Sequence, residues 1–291
     1  MANTNAHFER NRCLVESALL VAVATILSMV KIADLPYGGA ITLASMLPIV
    51  FIAYRNGLGW GLGTGLVYGM IQQLIGLKNL SYFTAWYSII AIILLDYLGA
   101  FAVMGLGGVF RKTFRRQSTA LVTGALLGCV LRYICHVISG ATVWAGLSIP
   151  TNAALGYSLI YNATYMVPET IILLLITYYL GSLIDFRREI PGRLDPSESA
   201  IASRADIVTI LAGVVALGAL TYDIAAVFRH LQNAESGEFD IRGLAVSGSF
   251  VKSFWLPVVV VTAVAFVVVC ALILIRKFAI TDEPENEKTE G

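Results

Sequence analysis

Charge is what this chain has least of. Only 13% of its 291 residues are Asp, Glu, Lys or Arg, against 57% hydrophobic, and the mean hydropathy is +0.77. A soluble domain cannot clothe its surface with so few charges, so the chain reads as an integral membrane protein solvated by the lipid bilayer. Its net charge of +1 offers no basic field for nucleic acid. Histidine is scarce: His7 and His230 fall outside the apolar segments and leave His136 alone. The four cysteines, Cys13, Cys129, Cys135 and Cys270, lie in or beside apolar runs without metal spacing and read as packing residues. No metal centre or other cofactor is expected. Also missing are an H-E-x-x-H pair, a serine–histidine arrangement and a Walker A loop, so the chain is not expected to be an enzyme. Any ATP-driven step would need a motor from another chain.

What is present is long apolar runs. Segments near 13–33, 40–54, 57–76, 84–110, 119–139, 155–184, 206–228 and 254–276 give about eight candidate membrane helices, the second of them short. This is an all-α integral membrane protein. Lys and Arg placement gives an orientation. Arg10, Arg12, Arg55, the RKTFRR cluster at 111–116, Arg187, Arg188, Arg193, Arg204, Arg276 and Lys277 fall on one side. Lys31, Lys78, Arg229, Arg242 and Lys252 fall on the other. Both termini are then cytoplasmic, and the 140–154 connection faces outside. Residues 185–205 read as a cytoplasmic linker, 206–276 as a two-helix membrane extension with an outer loop, and 277–291 as an acidic disordered tail.

Two small-residue patterns concern packing. In the first helix Ala18 and Ala22 put two methyl-sized side chains on one face, where another helix can approach closely, either within this protein or from a partner. In the third, Gly57, Gly61, Gly65 and Gly69 form a stripe at four-residue spacing that fits close helix contact. The first loop, with Pro36, Gly38 and Gly39, allows a tight backbone on the outer side and a possible lid.

The polar side chains gather in fewer places. The fourth helix carries Tyr82, Trp86 and Tyr87 near its outer end, then Asp96 and Tyr97 deeper in. A carboxylate at that depth needs a partner or a polar cavity; Asp96 is either a functional group or one half of an ion pair with Arg132. The fifth helix sets Arg132, His136 and Gly140 four apart on one face, with Trp144 beyond. The sixth holds Tyr157, Ser158, Tyr161 and Asn162, then Pro168 and Glu169, whose partner is Arg132 or a proton. Apolar walls with a few placed polar groups describe a small-molecule pocket. A flat cationic heteroaromatic suits it: Trp86, Tyr97, Trp144 and Tyr157 to stack, Asp96 to offset charge, His136 and Asn162 to hydrogen-bond ring nitrogens. Tyr82 and Trp86 have a plain alternative as interfacial anchors.

Three stretches, LDYLGAF around Asp96, LRYICHVISGATVW from Leu131 to Trp144, and GYSLIYN from Gly156 to Asn162, together resemble the thiamine-specific substrate-binding subunit, or S component, of energy-coupling factor (ECF) transporters. The resemblance covers about residues 8–184. It implies a six-helix S-component-like bundle over 1–184; the two additional C-terminal transmembrane helices of 206–276, read from hydropathy alone, lie beyond the resemblance and have no family role. It also implies thiamine held near the outer face of the cell membrane by Trp86, Asp96, Tyr97, His136, Gly140, Trp144, Tyr157 and Asn162. Ala18 and Ala22 match the motif that docks on a transmembrane coupling subunit, which works with two ATPase subunits. Arg132 would tune or neutralise Asp96. The chain departs from the family where Asp96 replaces a longer glutamate, and where Gly39 and Leu43 stand in place of a tryptophan and a glutamate found in some members. Other readings are an S component for another vitamin or a thiamine precursor, and a stand-alone secondary transporter coupling protons through Asp96, Arg132 and Glu169.

Overall fold

A computed structural model describes residues 2–35, 38–114, 116–144, 154–194 and 251–281, with 208, 211–216, 218–219, 222–223 and 226 between them. The chain forms two compact units, 1–194 and 195–291. The first opens with α1 (Ala2–Met29), followed by a hairpin of β1 (Lys31–Asp34) and β2 (Ala40–Thr42). Then come α2 (Leu47–Asn56) and α3 (Leu58–Ile75), a 3₁₀ segment at Leu77–Tyr82, and a long helix α4 (Trp86–Gly108). The unit closes with α5 (Gln117–Thr142), α6 (Ala154–Leu183) and a two-residue hairpin, β3 (Ile184–Asp185) with β4 (Gly192–Arg193). In the second unit α7 (Leu256–Thr281) follows a short π segment at Val251–Trp255.

Among the described residues, five helices are long and apolar enough to cross a membrane: His7–Met29, Trp86–Gly108, Gln117–Thr142, Ala154–Leu183 and Ser253–Ile275. With α3 and the buried α2 they give the helical membrane architecture that the sequence predicts. The second predicted span, 40–54, is divided. Its first residues are strand, and the helix starts at Leu47 with Pro48 in its first turn, where the missing N–H costs nothing. Ten residues reach only about 15 Å, half a bilayer core, and every residue from Leu47 to Tyr54 is buried. Eleven of the 23 residues of the seventh predicted span, the outer loop from 229 to 250, and the acidic tail beyond Thr281 lie outside the described residues; within the span 211–216 are helical. Within the second unit, Thr262 Oγ1 donates to Asp223 Oδ2 at 2.6 Å, the kind of interhelical bond that holds helices together in lipid.

The glycine stripe does what its spacing promised. A methyl group on Gly61 would sit 2.5 Å from the Gly105 carbonyl oxygen, on Gly65 2.5 Å from that of Phe101, and on Gly69 2.7 Å from that of Tyr97. The backbones of α3 and α4 therefore touch. Gly59 and Gly63 face open space. Gly57, at φ +93°, turns the chain from α2 into α3 instead of packing. Around this seam the core gathers Val21 and Ala24 of α1, Ile49 and Val50 of α2, Tyr68 of α3, Met104 of α4, Leu121 of α5 and Leu173 of α6.

The basic end of this unit is tied together by arginines. Arg55 bonds Glu16 and the carbonyls of Phe186, Arg188 and Glu189, Arg12 pairs with Glu189, and Phe186 stacks on Phe51 with centroids 4.1 Å apart. Gln117 caps the turn after α6, its amide donating to Gly181 and Ile184 and accepting from the Phe186 N–H. The first residues of the expected linker, 185–194, are thus folded onto the bundle.

Candidate functional site

At the end of the bundle opposite these arginines lies a cavity of about 490 Å³, within the range for small-molecule sites. Its helical walls come from α3, α4, α5 and α6, and the hairpin covers one side through Leu35, Gly39 and Ala40. The hairpin is antiparallel, Lys31 opposite Thr42 and Asp34 opposite Ala40, with a bulge between Lys31 and Ala33. Leu35 N donates to Gly39 O at 2.7 Å. Gly38 has φ +97°, a conformation that costs a side-chain-bearing residue dearly.

Asp96 and Tyr97 project from the middle of α4, where Ile93–Gly99 relaxes into a π-helix. Such wide turns insert an extra residue and re-aim the side chains around it. Asp96 Oδ1 sits 3.0 Å from His136 Nδ1, while Oδ2 accepts from Ser139 Oγ at 2.7 Å and from Trp144 Nε1 at 3.1 Å. A carboxylate oxygen accepts here, so Nδ1 is the donor in this contact and the second ring nitrogen, Nε2, faces elsewhere. That nitrogen is buried without a protein partner among the described residues. Trp144 is further fixed edge-on against Phe83, at 4.8 Å between centroids, and tilted toward Tyr82. Tyr97 Oη accepts from Asn79 Nδ2 at 3.0 Å.

The facing wall is one stripe of α6 at four-residue spacing: Tyr157, Tyr161, Tyr165 and Glu169, all lining the cavity. Tyr157 and Tyr161 lie parallel, 5.8 Å between centroids, and Tyr161 meets Tyr165 edge-on. The helix runs unbroken through Pro168. Gly140 lets α5 and α6 close up, since a methyl there would meet Ser158 Cβ at 3.0 Å. Asn162 uses its amide on protein partners: Nδ2 donates to Ser158 O at 2.9 Å, and Oδ1 accepts from Tyr165 Oη at 2.7 Å. At the cavity floor Arg132 Nη1 donates to Glu169 Oε2 at 2.6 Å, the guanidinium lying 5.0 Å from the Phe101 ring centroid. Glu169 Oε1 takes the other side of the carboxylate to Thr42, from Oγ1 at 2.5 Å and from the backbone N at 3.3 Å.

A family described as thiamine transporter protein matches residues 14–185. The chain belongs to the thiamine transporter family. Thiamine transporter ThiT of Bacillus subtilis is 38% identical to it over 170 residues, 55% of this chain and 84% of that protein. A solved structure of ThiT from Listeria monocytogenes superimposes with a TM-score of 0.49 at 25% identity, covering 60% of this chain and 94% of its own. The chain is accordingly a multi-pass membrane transporter and not an enzyme. The residues matched to the thiamine transporter family contain the whole cavity; α7 lies beyond them.

Within this thiamine transporter, seven of the eight sequence-predicted ligand residues line one cavity: Asp96, Tyr97, His136, Gly140, Trp144, Tyr157 and Asn162. Trp86 does not. It is 71% exposed at the start of α4, edge-on to Tyr87, and fits the interfacial-anchor alternative. Tyr82, four residues earlier at the end of the 3₁₀ segment, is an aromatic that lines the cavity. Arg132 also departs from expectation. Asp96 is occupied by His136, Ser139 and Trp144, and the hydrogen bond of Arg132 goes to Glu169, resolving the carboxylate whose partner the sequence left open. Ala18 and Ala22 lie on the exposed face of α1, while Ser17, Val21, Ala24 and Ser28 turn inward, so within the first unit the alanines are not packed against described residues. Sequence reading gathers Tyr161 with the pocket side chains without naming it as a contact, and it misses Tyr165, whose spacing between Tyr161 and Glu169 is visible, together with Asn79 and Thr42, which carry no signal of their own.

Proposed function

We propose that this chain is the substrate-binding subunit of an ECF importer, capturing thiamine at the outer face for ATP-driven uptake by partner subunits. The observation that carries the reading is Asp96, a carboxylate held by three donor side chains at the edge of a cavity walled by tyrosines and Trp144. Its negative charge has no arginine or lysine hydrogen-bonded to it among the described residues, which suits a cationic heteroaromatic ring such as the thiazolium of thiamine. With the ring neutral, His136 Nε2 accepts and suits the amino group of the pyrimidine.

Orientation follows from the ends of the bundle. The arginines at 55, 111, 187 and 188 share one end, and the cavity opens at the other beside Lys31 and Lys78. Placing the arginine-rich end in the cytoplasm turns the cavity outward and puts the amino terminus inside. Exposed Ala18 and Ala22 then offer a coupling subunit a flat strip for close helix contact. Thiamine, the coupling subunit and two ATPase subunits are the partners on this reading.

Calorimetry of the purified chain with thiamine, its phosphates and its pyrimidine precursor tests the ligand, thiamine binding tightest being the expected result. Proteoliposome uptake tests the class. Accumulation that needs the coupling subunit and ATPases supports an importer subunit, whereas uptake by this chain alone, driven by a pH gradient, supports a proton-coupled secondary transporter.

A further inference from the structure

A second cavity, of about 600 Å³, lies at the basic end of the first unit, where α1, the junction of α2 with α3, and the segment after α4 meet. Its wall carries four arginines, Arg10, Arg12, Arg55 and Arg111, against one carboxylate, Glu9, among the described residues. Two of the four are paired, Arg12 with Glu189 and Arg55 with Glu16. Arg10 and Arg111 are exposed and have no carboxylate partner among the described residues, and Arg12 Nε is buried without an acceptor. We propose that this cavity binds the phosphate group of an anionic phospholipid.

A concave site lined by charge of one sign concentrates its potential inside and draws in the opposite charge. Guanidinium is the side chain best matched to phosphate, since its planar fork can meet two oxygens at once. Two of these forks are held in place by the fold. Arg55 is fixed by Glu16 and three backbone carbonyls. Arg111 Nη1 donates to Arg55 O at 3.3 Å and stands 3.7 Å from where a side chain on Gly57 would begin. Gly57 caps α3 without a side-chain bond, so the positive end of that helix dipole adds to the field of the arginines. What selects a lipid over a soluble anion is the surface beside the cavity. Half-buried Trp60 lines it, and from there α1 and α3 run on with Leu14, Val15 and Leu19, and Leu62 and Leu66, all exposed. A ligand seated there has its anionic group among guanidiniums and its apolar body along lipid-facing helices. Basic pockets between membrane helices on the cytoplasmic side suit such headgroups, and the orientation proposed above places this end in the cytoplasmic leaflet.

The full-length chain, purified in a non-ionic detergent, is titrated with dioleoyl phosphatidylglycerol and, in parallel, with dioleoyl phosphatidylcholine. Bound lipid is counted by native mass spectrometry for wild type, Arg10→Gln, Arg111→Gln and Arg193→Gln, the last an exposed arginine that does not line the cavity. Wild type should retain phosphatidylglycerol in preference to phosphatidylcholine. Arg10→Gln and Arg111→Gln should each weaken that retention about fivefold, the factor for one arginine at an anionic lipid surface. Arg193→Gln should match wild type, and the melting temperature without lipid should fall in none of the three. Equal weakening in all three would reduce the effect to net charge and overturn the site, as would equal retention of the two lipids. Inorganic phosphate separates the sources: if it raises the melting temperature of lipid-free wild type as far as phosphatidylglycerol does, the cavity holds a free anion and the lipid assignment falls. Should phosphatidylglycerol go unretained while Arg10→Gln and Arg111→Gln still lower uptake with the coupling and ATPase subunits, the arginines serve a protein contact and the lipid site is lost. Lipid retention is read on the chain alone, so it stands or falls independently of thiamine as the cargo.

Discussion

Asp96 and His136, on neighbouring helices, share a hydrogen bond of 3.0 Å between Oδ1 and Nδ1. The carboxylate thereby orients the imidazole beside the cavity. Replacing Asp96 with Asn retains the shape and an acceptor for Ser139 and Trp144 but removes the carboxylate charge. Thiamine affinity should fall on the order of 10- to 100-fold by calorimetry, the loss for a charged hydrogen-bonding partner, while an uncharged pyrimidine precursor should lose far less. Equal losses for both would remove electrostatics from the account.

The two tryptophans of this region should separate cleanly. Trp144 lines the cavity and bonds Asp96, whereas Trp86 is exposed beside Tyr87. Ligand-induced quenching of tryptophan fluorescence should vanish in Trp144→Phe and persist in Trp86→Phe, with unchanged affinity in the latter. A weakened Trp86→Phe would return that residue to the site.

Glycine positions on α3 make a test of opposite signs. Gly65→Ala drives a methyl group to 2.5 Å from the Phe101 carbonyl and should destabilise the detergent-solubilised protein by about 1–3 kcal/mol. Gly63→Ala meets nothing within 4 Å and should leave stability unchanged or raise it by up to about 1 kcal/mol, the helix-propensity gain. Thermal unfolding of the pair decides whether the stripe packs as described.

The exposed strip on α1 is to be probed by bulk. Ala18→Phe adds a ring on the exposed face of α1, away from the cavity, so thiamine binding by the isolated chain should match wild type. Uptake in proteoliposomes with the coupling subunit and ATPases should fall at least about tenfold if that strip is the docking face. Normal uptake would move the contact elsewhere.

Much of the cavity was legible because helical periodicity does not depend on tertiary detail. Arg132, His136 and Gly140 share a face by arithmetic, and so do Tyr157, Tyr161, Tyr165 and Glu169. What periodicity cannot give is the partner across the gap: it left Arg132 between Asp96 and Glu169, and geometry chose Glu169. The π turn at 93–99 has no composition of its own, yet it sets where Asp96 and Tyr97 point. The hairpin was hidden for a different reason, its strands of four and three residues being too short for alternation to register. Trp86 and Tyr82 are both aromatics at a membrane edge, and only the 3₁₀ path of 77–82 decides which one turns inward.

The direct backbone contact between α3 and α4 has a mechanical consequence. At Gly61, Gly65 and Gly69 the two backbones meet directly, with Tyr68 edge-on to Phe101 between them, so the two helices pack as one plate that carries Asp96. The tyrosine stripe of α6 and the strand ending at Thr42 belong to other parts of the frame. The charged wall of the site is therefore anchored through backbone contact, while the tyrosine stripe facing it stands on a separate helix.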